Sequence, residues 1–206
     1  MLFNTPYWLR LLGGKGICWE MPGDGNKLYL SFDDGPNPET TPWILNMLGR
    51  YNAKATFFCV GENVVKHHAT FQSIIDAGHT VGNHTYNHLK GWKTATETYV
   101  ENVRQCQEAV KSKLFRPPYG KMKRSQQQIL KKQYDIIMWT VLSRDYDPRV
   151  SRESCLENSW RYTRPGAIVV FHDHLKTISK LEYVLPAYLK RAVEAGYTFR
   201  ALGVGQ

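Results

Sequence analysis

Short apolar runs alternate with amphipathic stretches along almost the whole chain. Six runs carry consecutive apolar residues between turn-forming residues, and they cover residues 27–32, 55–60, 79–83, 135–141, 167–172 and 197–202. Runs of this length that are apolar on both faces are typical of parallel strands, since helices cover both sides of a parallel sheet. The pattern therefore predicts six buried parallel strands.

The first two amphipathic stretches predict helices with clear start and stop signals. Thr41 and Pro42 fit the N-cap and N1 positions of a helix that ends near Arg50. A second helix is predicted from Gly61 to Gly78, where glycine favours a C-terminal left-handed residue. Its apolar face carries Val64, Phe71 and Ile75.

Three further helices follow in the second half of the chain. Residues 94–97 have the capping-box pattern Thr-Ala-Thr-Glu, and the apolar face after it carries Tyr99, Val103, Cys106 and Val110. Ser151 is the predicted N-cap of a helix that runs to about Tyr162. The last helix is predicted to end near Ala195, with Gly196 in the left-handed conformation.

Alternation of strands and helices predicts an α/β fold with a parallel sheet, either open or closed into a barrel. At 206 residues the chain fits one domain. We expect residues 1–26 to be an N-terminal extension packed on a domain of residues 27–206. Functional groups of such folds gather at the carboxyl ends of the strands. The polar residues at those ends are Asp33, Asp34, His84, Asp145 and His172.

Two of these strand ends carry ligands that suit a divalent metal. His84 and His88 are four residues apart, so a helical turn or a tight loop can bring both imidazoles to one ion. With one carboxylate they form a three-ligand set that leaves a position open for water. Of the adjacent Asp33 and Asp34, one would then bind the metal and the other would act as a base. Taken separately, each motif also fits a plain surface loop or turn.

The segment RPPYG, residues 116–120, predicts a rigid loop. Arg116 can pair with a carboxylate and hold it ionised, and the backbone N–H groups of Tyr119 and Gly120 are candidate oxyanion donors. The plainer interpretation is a loop that starts a helix, with a surface arginine.

His172 follows the apolar run 167–172 and is a candidate general acid, because histidine titrates near neutral pH. Asp145 is positioned to bond the second ring nitrogen and raise the pKa of His172. The alternative is a core histidine with satisfied hydrogen bonds. Asp173 and His174 are interpreted as loop residues.

Five segments occur in order: SFDDG (31–35), HTYNH (84–88), RPPYG (116–120), SRDY (143–146) and VVFHDH (169–174). Together they resemble the five motifs of the polysaccharide deacetylases, the NodB-homology proteins of carbohydrate esterase family four. The resemblance implies a distorted (β/α) barrel of parallel strands with surrounding helices. It also implies a divalent metal, with zinc expected, and removal of acetyl groups from sugars.

The resemblance assigns a role to each matching position. It implies that the metal ligands are Asp34, His84 and His88. It implies that Asp33 is the base, that His172 is the acid, that Arg116 orients Asp33 and that Asp145 tunes His172. It implies an oxyanion contact from the Tyr119 N–H and a pocket wall of Tyr119, Trp139, Tyr146 and Val170. Ser31, Tyr146 and Val170 depart from the usual Thr, Trp and Leu, which leaves the fit of the substrate open.

The formal net charge of +9 suggests an anionic partner such as a cell-wall polymer, although solubility alone also explains it. No apolar run reaches the roughly 20 residues that span a bilayer. The chain as written has no export signal, which predicts a cytoplasmic protein, or one of the cell envelope if a leader has been removed. Its four cysteines lie far apart without a C-x-x-C, which argues against a thiolate zinc site and leaves their pairing open.

The leading hypothesis is a metal-dependent enzyme that removes N-acetyl groups from N-acetylglucosamine-containing glycans such as peptidoglycan or chitin-type oligosaccharides. An O-acetyl xylan esterase and a hydrolase of small cyclic amides are alternatives on the same fold. An inactive glycan-binding protein is a further alternative. We expect no nucleic-acid partner, because the sequence has no recognition motif to accompany its charge. The oligomeric state stays open.

Overall fold

The computed structural model describes residues 3–4, 16–22 and 25–203. Nine strands are found among these residues: β1 Ile17–Cys18, β2 Lys27–Asp33, β3 Ala55–Cys59, β4 Thr80–Asn83, β5 Leu114–Phe115, β6 Asp135–Ile137, β7 Val141–Leu142, β8 Ile168–His172 and β9 Thr198–Phe199. The α-helices are α1 Thr41–Arg50, α2 Gly61–Lys66, α3 His68–Asp76, α4 Thr96–Val110, α5 Arg124–Leu130, α6 Arg152–Arg161 and α7 Ile178–Glu194. Two 3₁₀ turns cover Gly91–Lys93 and Pro118–Gly120.

The strands form one parallel sheet that curls into a distorted barrel. Its order is β1-β6-β5-β4-β3-β2-β8-β7, and β9 pairs with β2. The short link from β6 to β7 bonds to β1 at one end of this order and to β8, the strand next to the other end. The Met138 N–H donates to the Cys18 carbonyl in β1, and the Thr140 N–H donates to the Ile168 carbonyl in β8. Two residues cannot span an open sheet of this width, so the sheet ends approach each other. The predicted α/β barrel is confirmed.

Two strand predictions needed correction, and two strands were not predicted. The run 135–141 is two strands, because residues 138–140 cross from one end of the sheet to the other. The run 197–202 provides only the two residues of β9. The strands β1 and β5 were missed, because a strand of two residues is too short to carry a periodic pattern.

The predicted single helix from Gly61 to Gly78 is two helices. The backbone breaks at His67, where φ is −123° and ψ is 47°. This break changes the helix face, so that Ile74 is buried and Ile75, predicted to face the core, is 41% exposed. The apolar pattern found the helical region but could not locate the change of direction.

Two predicted helix caps are also wrong. The Thr94 hydroxyl donates to the Lys90 carbonyl, and α4 begins after Ala95 without a side-chain cap. The N-cap of α1 is Thr40 rather than Thr41, and the hydroxyls of both threonines donate to the Asp173 carboxylate instead. A tertiary partner therefore replaces the local capping bond.

Other helix signals acted as predicted. The Ser151 Oγ accepts the Ser154 N–H at 3.1 Å and caps α6. The last helix ends before Ala195, and Gly196 has a φ of +79°. The apolar face predicted for α4 is buried at Tyr99, Val103, Cys106 and Val110.

Alternation along β2 sends one set of side chains into the barrel. Leu30 and Phe32 pack with the helices in the largest apolar cluster, whereas Tyr29 packs in the cluster inside the barrel. Ser31 and Asp33 have the same parity as Tyr29, so they also point inward. The strand geometry thus places Asp33 at the inner rim, at the carboxyl end of β2.

The predicted N-terminal extension of residues 1–26 lies partly outside the described residues. Its described parts pair with the sheet: Asn4 bridges Val141, β1 pairs with β6, and Glu20 bridges Ala167. The boundary at residue 26 stays a prediction. All four cysteines are unpaired thiols. None of the helices in the described ranges combines the length and apolarity that a membrane-spanning helix needs.

Candidate active site

The carboxyl ends of the strands surround a pocket of about 620 Å³. Asp33 at the end of β2 lies beside His172 at the end of β8, because these two residues are register partners on adjacent parallel strands. The residues that line the pocket are Asp33, Asp34, Val60, Glu62, Asn63, His84, Asn87, His88, Tyr119, Trp139, Leu142, Tyr146, His172, His174, Lys176 and Thr177. The strand ends therefore converge as the sequence predicted.

Three predicted metal ligands meet at the floor of this pocket. The Asp34 Oδ1 lies 3.6 Å from the His84 Nε2 and 3.1 Å from the His88 Nε2. The ligand atoms of all three residues lie within 4.8 Å of one another. Burial opposes ionisation of Asp34, but the adjacent imidazoles of His84 and His88 hold its pKa well below the usual range. Two imidazoles and one ionised carboxylate form a donor set that suits zinc.

The tautomer of His84 also fits metal binding. Its Nδ1 lies 2.8 Å from the Arg116 carbonyl oxygen, and a carbonyl can only accept. The proton is therefore on Nδ1, and the lone pair of Nε2 points toward Asp34 and His88. Metal-bound histidines commonly use this arrangement, because the second bond fixes the ring.

The loop that carries both histidines is a tight loop rather than a helical turn. The buried Asn83 side chain shapes it, since its Oδ1 accepts the Thr85 N–H and its Nδ2 donates to the Val103 carbonyl in α4. Thr85 and His88 have φ values of 65° and 58°, and Asp34 has a φ of 78°. Positive φ costs energy for residues other than glycine, and such strain clusters at functional sites.

Arg116 holds Asp33 inside the barrel. Both side chains are buried, and the Arg116 Nη1 donates to the Asp33 Oδ1 at 2.6 Å and to the Ser31 Oγ at 2.8 Å. Its remaining donors bond the Ile137 and Met138 carbonyls. Burial lowers the pKa of Arg116, and the charge of Asp33 opposes that change. The interpretation of Arg116 as a surface residue is therefore wrong, and the predicted pairing with a carboxylate is present.

His172 faces the pocket and bonds Asp145 behind it. The His172 Nδ1 lies 2.7 Å from the Asp145 Oδ1, and the His172 N–H donates to the Asp145 Oδ2 at 2.8 Å. Burial alone would lower the pKa of His172, but the charge and hydrogen bond of Asp145 raise it to about 9, and Asp34 and Asp33 add to the rise. The imidazole is therefore protonated at neutral pH and can act as an acid.

We expect Asp145→Asn to move the alkaline limb of the pH–rate profile to lower pH. A general acid works only while protonated, so wild-type activity should fall as the pH rises through about 9, the raised pKa of His172. Without the Asp145 charge, only Asp34 and Asp33 oppose the effect of burial, so the pKa of His172 should fall. The test compares kcat/KM against pH for both proteins at equal metal loading. Superimposable alkaline limbs would contradict the assignment.

The raised pKa of His172 also makes the stability of the folded state depend on pH. The pKa of His172 is raised in the folded state, so its stabilising contribution is complete below the unfolded value of about 6.5. That contribution disappears as the pH rises through about 9.

The loop 116–120 supplies one of its two predicted oxyanion donors at most. The Gly120 N–H donates to the Pro117 carbonyl at 3.0 Å, so it is not directed at a substrate. Gly120 has a φ of +63°, and a Cβ there would lie 2.3 Å from the Trp139 ring. The glycine is needed for its small size rather than for its N–H group.

Three of the four predicted wall residues line the pocket: Tyr119, Trp139 and Tyr146. Val170 does not, because it is fully buried in the apolar cluster inside the barrel. Leu142, its register partner on β7, lines the pocket instead. The prediction for Val170 is corrected accordingly: it lies beneath the wall.

Sequence reasoning missed Asp173, which was interpreted as a loop residue. Asp173 is buried and accepts hydrogen bonds from Thr40 and Thr41, and its N–H donates to the Asp33 carbonyl at 2.7 Å. Burial raises the pKa of Asp173 to about 6. A Cβ at Gly35 would lie 2.3 Å from this carboxylate, so the loop that carries the two aspartates packs directly on it.

Carboxylates and histidines at the carboxyl ends of the barrel strands are residue types that hydrolases use. A family model described as polysaccharide deacetylase matches residues 20–134. A peptidoglycan-N-acetylglucosamine deacetylase of Bacillus cereus is 31% identical over 197 residues, which cover 89% of each chain. A chitooligosaccharide deacetylase of Azorhizobium caulinodans is 28% identical over 190 residues, with 81% of this chain and 90% of the relative covered.

Solved structures agree with these relatives. The crystal structure of the Bc1960 peptidoglycan N-acetylglucosamine deacetylase superposes with a TM-score of 0.84 at 28% identity, over 96% of this chain and 95% of that one. The chain belongs to the polysaccharide deacetylase family, and it is an enzyme that hydrolyses acetyl groups from glycans.

Proposed function

We propose that this enzyme uses a divalent metal, with zinc as the expected ion, to remove N-acetyl groups from N-acetylglucosamine residues of a glycan. One observation carries the proposal. Asp33, held by Arg116, lies next in sequence to the converging ligands Asp34, His84 and His88, and across the strand pair from His172. The names of the relatives support an N-acetylglucosamine polymer of the peptidoglycan or chitin type as the substrate.

Each residue of the site has its own role in the proposed reaction. A divalent cation, when bound, polarises the amide carbonyl and makes water acidic enough to lose a proton near neutral pH. Asp33 accepts that proton, because the bond from Arg116 fixes the position of its carboxylate. The water oxygen bonds to the amide carbon, and His172 donates its proton to the nitrogen as the C–N bond breaks. The products are acetate and a free amine on the sugar.

The protonated His172 favours an amide over an ester as the substrate. An amine leaves only after it gains a proton, whereas an alkoxide leaves more readily without one. The strong interaction between Asp145 and His172 keeps that proton available at neutral pH. This supports the N-acetyl substrate over the O-acetyl xylan alternative.

Metal analysis joined to an acetate-release screen tests the proposal. The purified protein should retain about one divalent metal per chain and release acetate from chitooligosaccharides or peptidoglycan. Chelation should stop this release, and zinc should restore it. Release from acetylxylan alone, or hydrolysis of a cyclic imide alone, would replace the proposed substrate. No retained metal together with full activity after chelation would refute the metal dependence.

We expect His172→Ala to retain metal and to lower kcat by about 10²–10⁴-fold, the usual contribution of a general acid. His174 provides a matched control, because it is a second histidine that lines the pocket two residues away. His174→Ala should stay within a few-fold of wild type. Turnover of His172→Ala near the wild-type rate would show that the acid is another group.

A further inference from the structure

Two aromatic rings and two lysines form an exposed surface beside the pocket, which we call the lysine platform: Lys90, Trp92, Tyr119 and Lys121. The Trp92 and Tyr119 ring centroids are 5.3 Å apart and nearly perpendicular, and the rings are 37% and 43% exposed. The Lys90 Nζ lies 5.5 Å from the centre of the Tyr119 ring, and the Lys121 Nζ lies 5.7 Å from the centre of the Trp92 ring. Of these four residues, Tyr119 alone also lines the pocket.

The platform is continuous with the active site. Tyr119 lines the pocket, and its ring centroid is 4.8 Å from that of His88, a proposed metal ligand. The Trp92 ring packs nearly perpendicular to the Tyr119 ring. When one sugar of a polymer lies in the pocket, the neighbouring sugars on the Tyr119 side therefore lie over the platform.

The platform is preorganised by a buried side chain. Gln126 donates to the Gly91 and Thr94 carbonyls and accepts the Lys123 N–H, so it joins the loop of Trp92 to the loop of Lys121. A Cβ at Gly91 would lie 3.0 Å from the Lys121 carbonyl, which shows how closely the two loops pack. Loops that are positioned before binding lose less entropy when a ligand arrives.

The charge of the platform is not balanced locally. Residues 84–96 and 116–134 contain no aspartate or glutamate. Within the described ranges, neither Lys90 nor Lys121 forms an ion pair with a carboxylate. Aromatic faces pack against the apolar faces of sugars, and ammonium groups attract carboxylates. The combination fits a sugar that carries a carboxylate.

We propose that the lysine platform binds a carboxylate-bearing sugar next to the acetylated sugar, so that the enzyme prefers an anionic glycan. Trp92 and Tyr119 contact the sugar ring, and Lys90 and Lys121 hold its carboxylate. The inference rests on the proposed function for the place of the acetylated sugar.

The test uses one oligosaccharide in two charge states. The probe is a peptide-free oligomer of alternating N-acetylglucosamine and N-acetylmuramic acid, compared with the same oligomer after its lactyl carboxylates are converted to methyl amides. Wild-type kcat/KM should be about three- to tenfold higher for the charged oligomer, the scale of two exposed ionic contacts. Lys90→Gln/Lys121→Gln should lose this preference and should keep its rate on the amidated oligomer. High salt should also remove the preference, because it screens exposed charges.

A matched double variant distinguishes the effect of the platform lysines from the effect of the protein's net charge. Lys132 is exposed and shortly precedes the amino end of β6, and Lys190 is exposed in the last turns of α7, the helix that precedes β9, so both are expected toward the opposite edge of the barrel. The Lys190 pair with Glu194 is exposed and contributes little. Lys132→Gln/Lys190→Gln removes the same charge and should keep the preference. Equal loss in both double variants, or equal wild-type rates on the two oligomers, would overturn the proposal.

A binding measurement tests the platform proposal independently of the proposed function. Calorimetric affinities of Asp33→Asn for the two oligomers report the preference without turnover. If wild type releases no acetate from either oligomer, the proposed function fails. Tighter binding of the charged oligomer than of the amidated one would still support the platform proposal. If acetate is released and the two affinities are equal, the platform proposal alone is refuted.

Discussion

Asp34→Asn is expected to abolish retention of the metal and, with it, acetate release. Asp34 supplies the only carboxylate of the His–His–Asp cluster found among the described residues, and Asn removes its charge at similar size. Asn also tolerates the positive φ of 78° at this position, so the loop should keep its shape. Changes to groups behind a ligand already weaken metal binding by about 10–100-fold, so loss of the ligand itself should cost more than ~100-fold.

Metal content after dialysis and acetate release from chitooligosaccharides measure this result. Glu62→Gln is the matched control, because Glu62 is an exposed carboxylate that lines the same pocket outside the ligand cluster. It should retain metal and most activity. An Asp34→Asn protein that keeps one metal per chain and full turnover would disprove the proposed centre.

Arg116→Met should produce the largest loss of stability of any single change at the site. Removal of one partner from a buried ion pair typically costs about 3–5 kcal/mol, because the other charge stays buried and unpaired. Here Asp33 would lose its 2.6 Å partner, and the Ile137 and Met138 carbonyls would each lose a donor. Activity should also fall, since the carboxylate of Asp33 would no longer be oriented toward the attacking water.

Urea unfolding followed by circular dichroism measures the free-energy change. Arg149→Met is the matched control, because Arg149 also bonds an aspartate, Asp147, but is 83% exposed. Asp147 is buried but keeps its 2.6 Å partner Arg144 when Arg149 is changed, and an exposed partner contributes only about 0–1 kcal/mol, so this variant should stay near wild type. Asp33→Asn/Arg116→Met should recover part of the stability but no activity. Equal losses in Arg116→Met and Arg149→Met would contradict the structural role of the buried pair.

The sequence predicts those residues of the candidate site that lie at the carboxyl ends of strands. Asp33, Asp34, His84 and His172 each end or follow an apolar run, and parallel strands bring their carboxyl ends to one edge. Arg116 was harder to place, because β5 has only two residues and gives no periodic signal. Its position in the barrel depends on partners in β2 and after β6 rather than on its neighbours in sequence.

The sequence by itself determined the α/β class, most of the strands and helices, and the residue types that can perform metal-assisted hydrolysis. These features are local, because strand and helix patterns and strand-end residues are visible within short windows. They suffice to predict which strand ends meet, but they do not determine how closely individual side chains approach.

Tertiary structure decided the burial of Asp173 and Val170, the use of the Gly120 N–H, the break at His67 and the assembly of the lysine platform. Asp173 bonds Thr40, 133 residues away, and Gln126 bonds Gly91, 35 residues away. Such contacts require the closed sheet and the packed helices, because the partners belong to different strand–helix units. Local propensity carries no information about them, and so the three-dimensional fold alone assigned these side chains their positions.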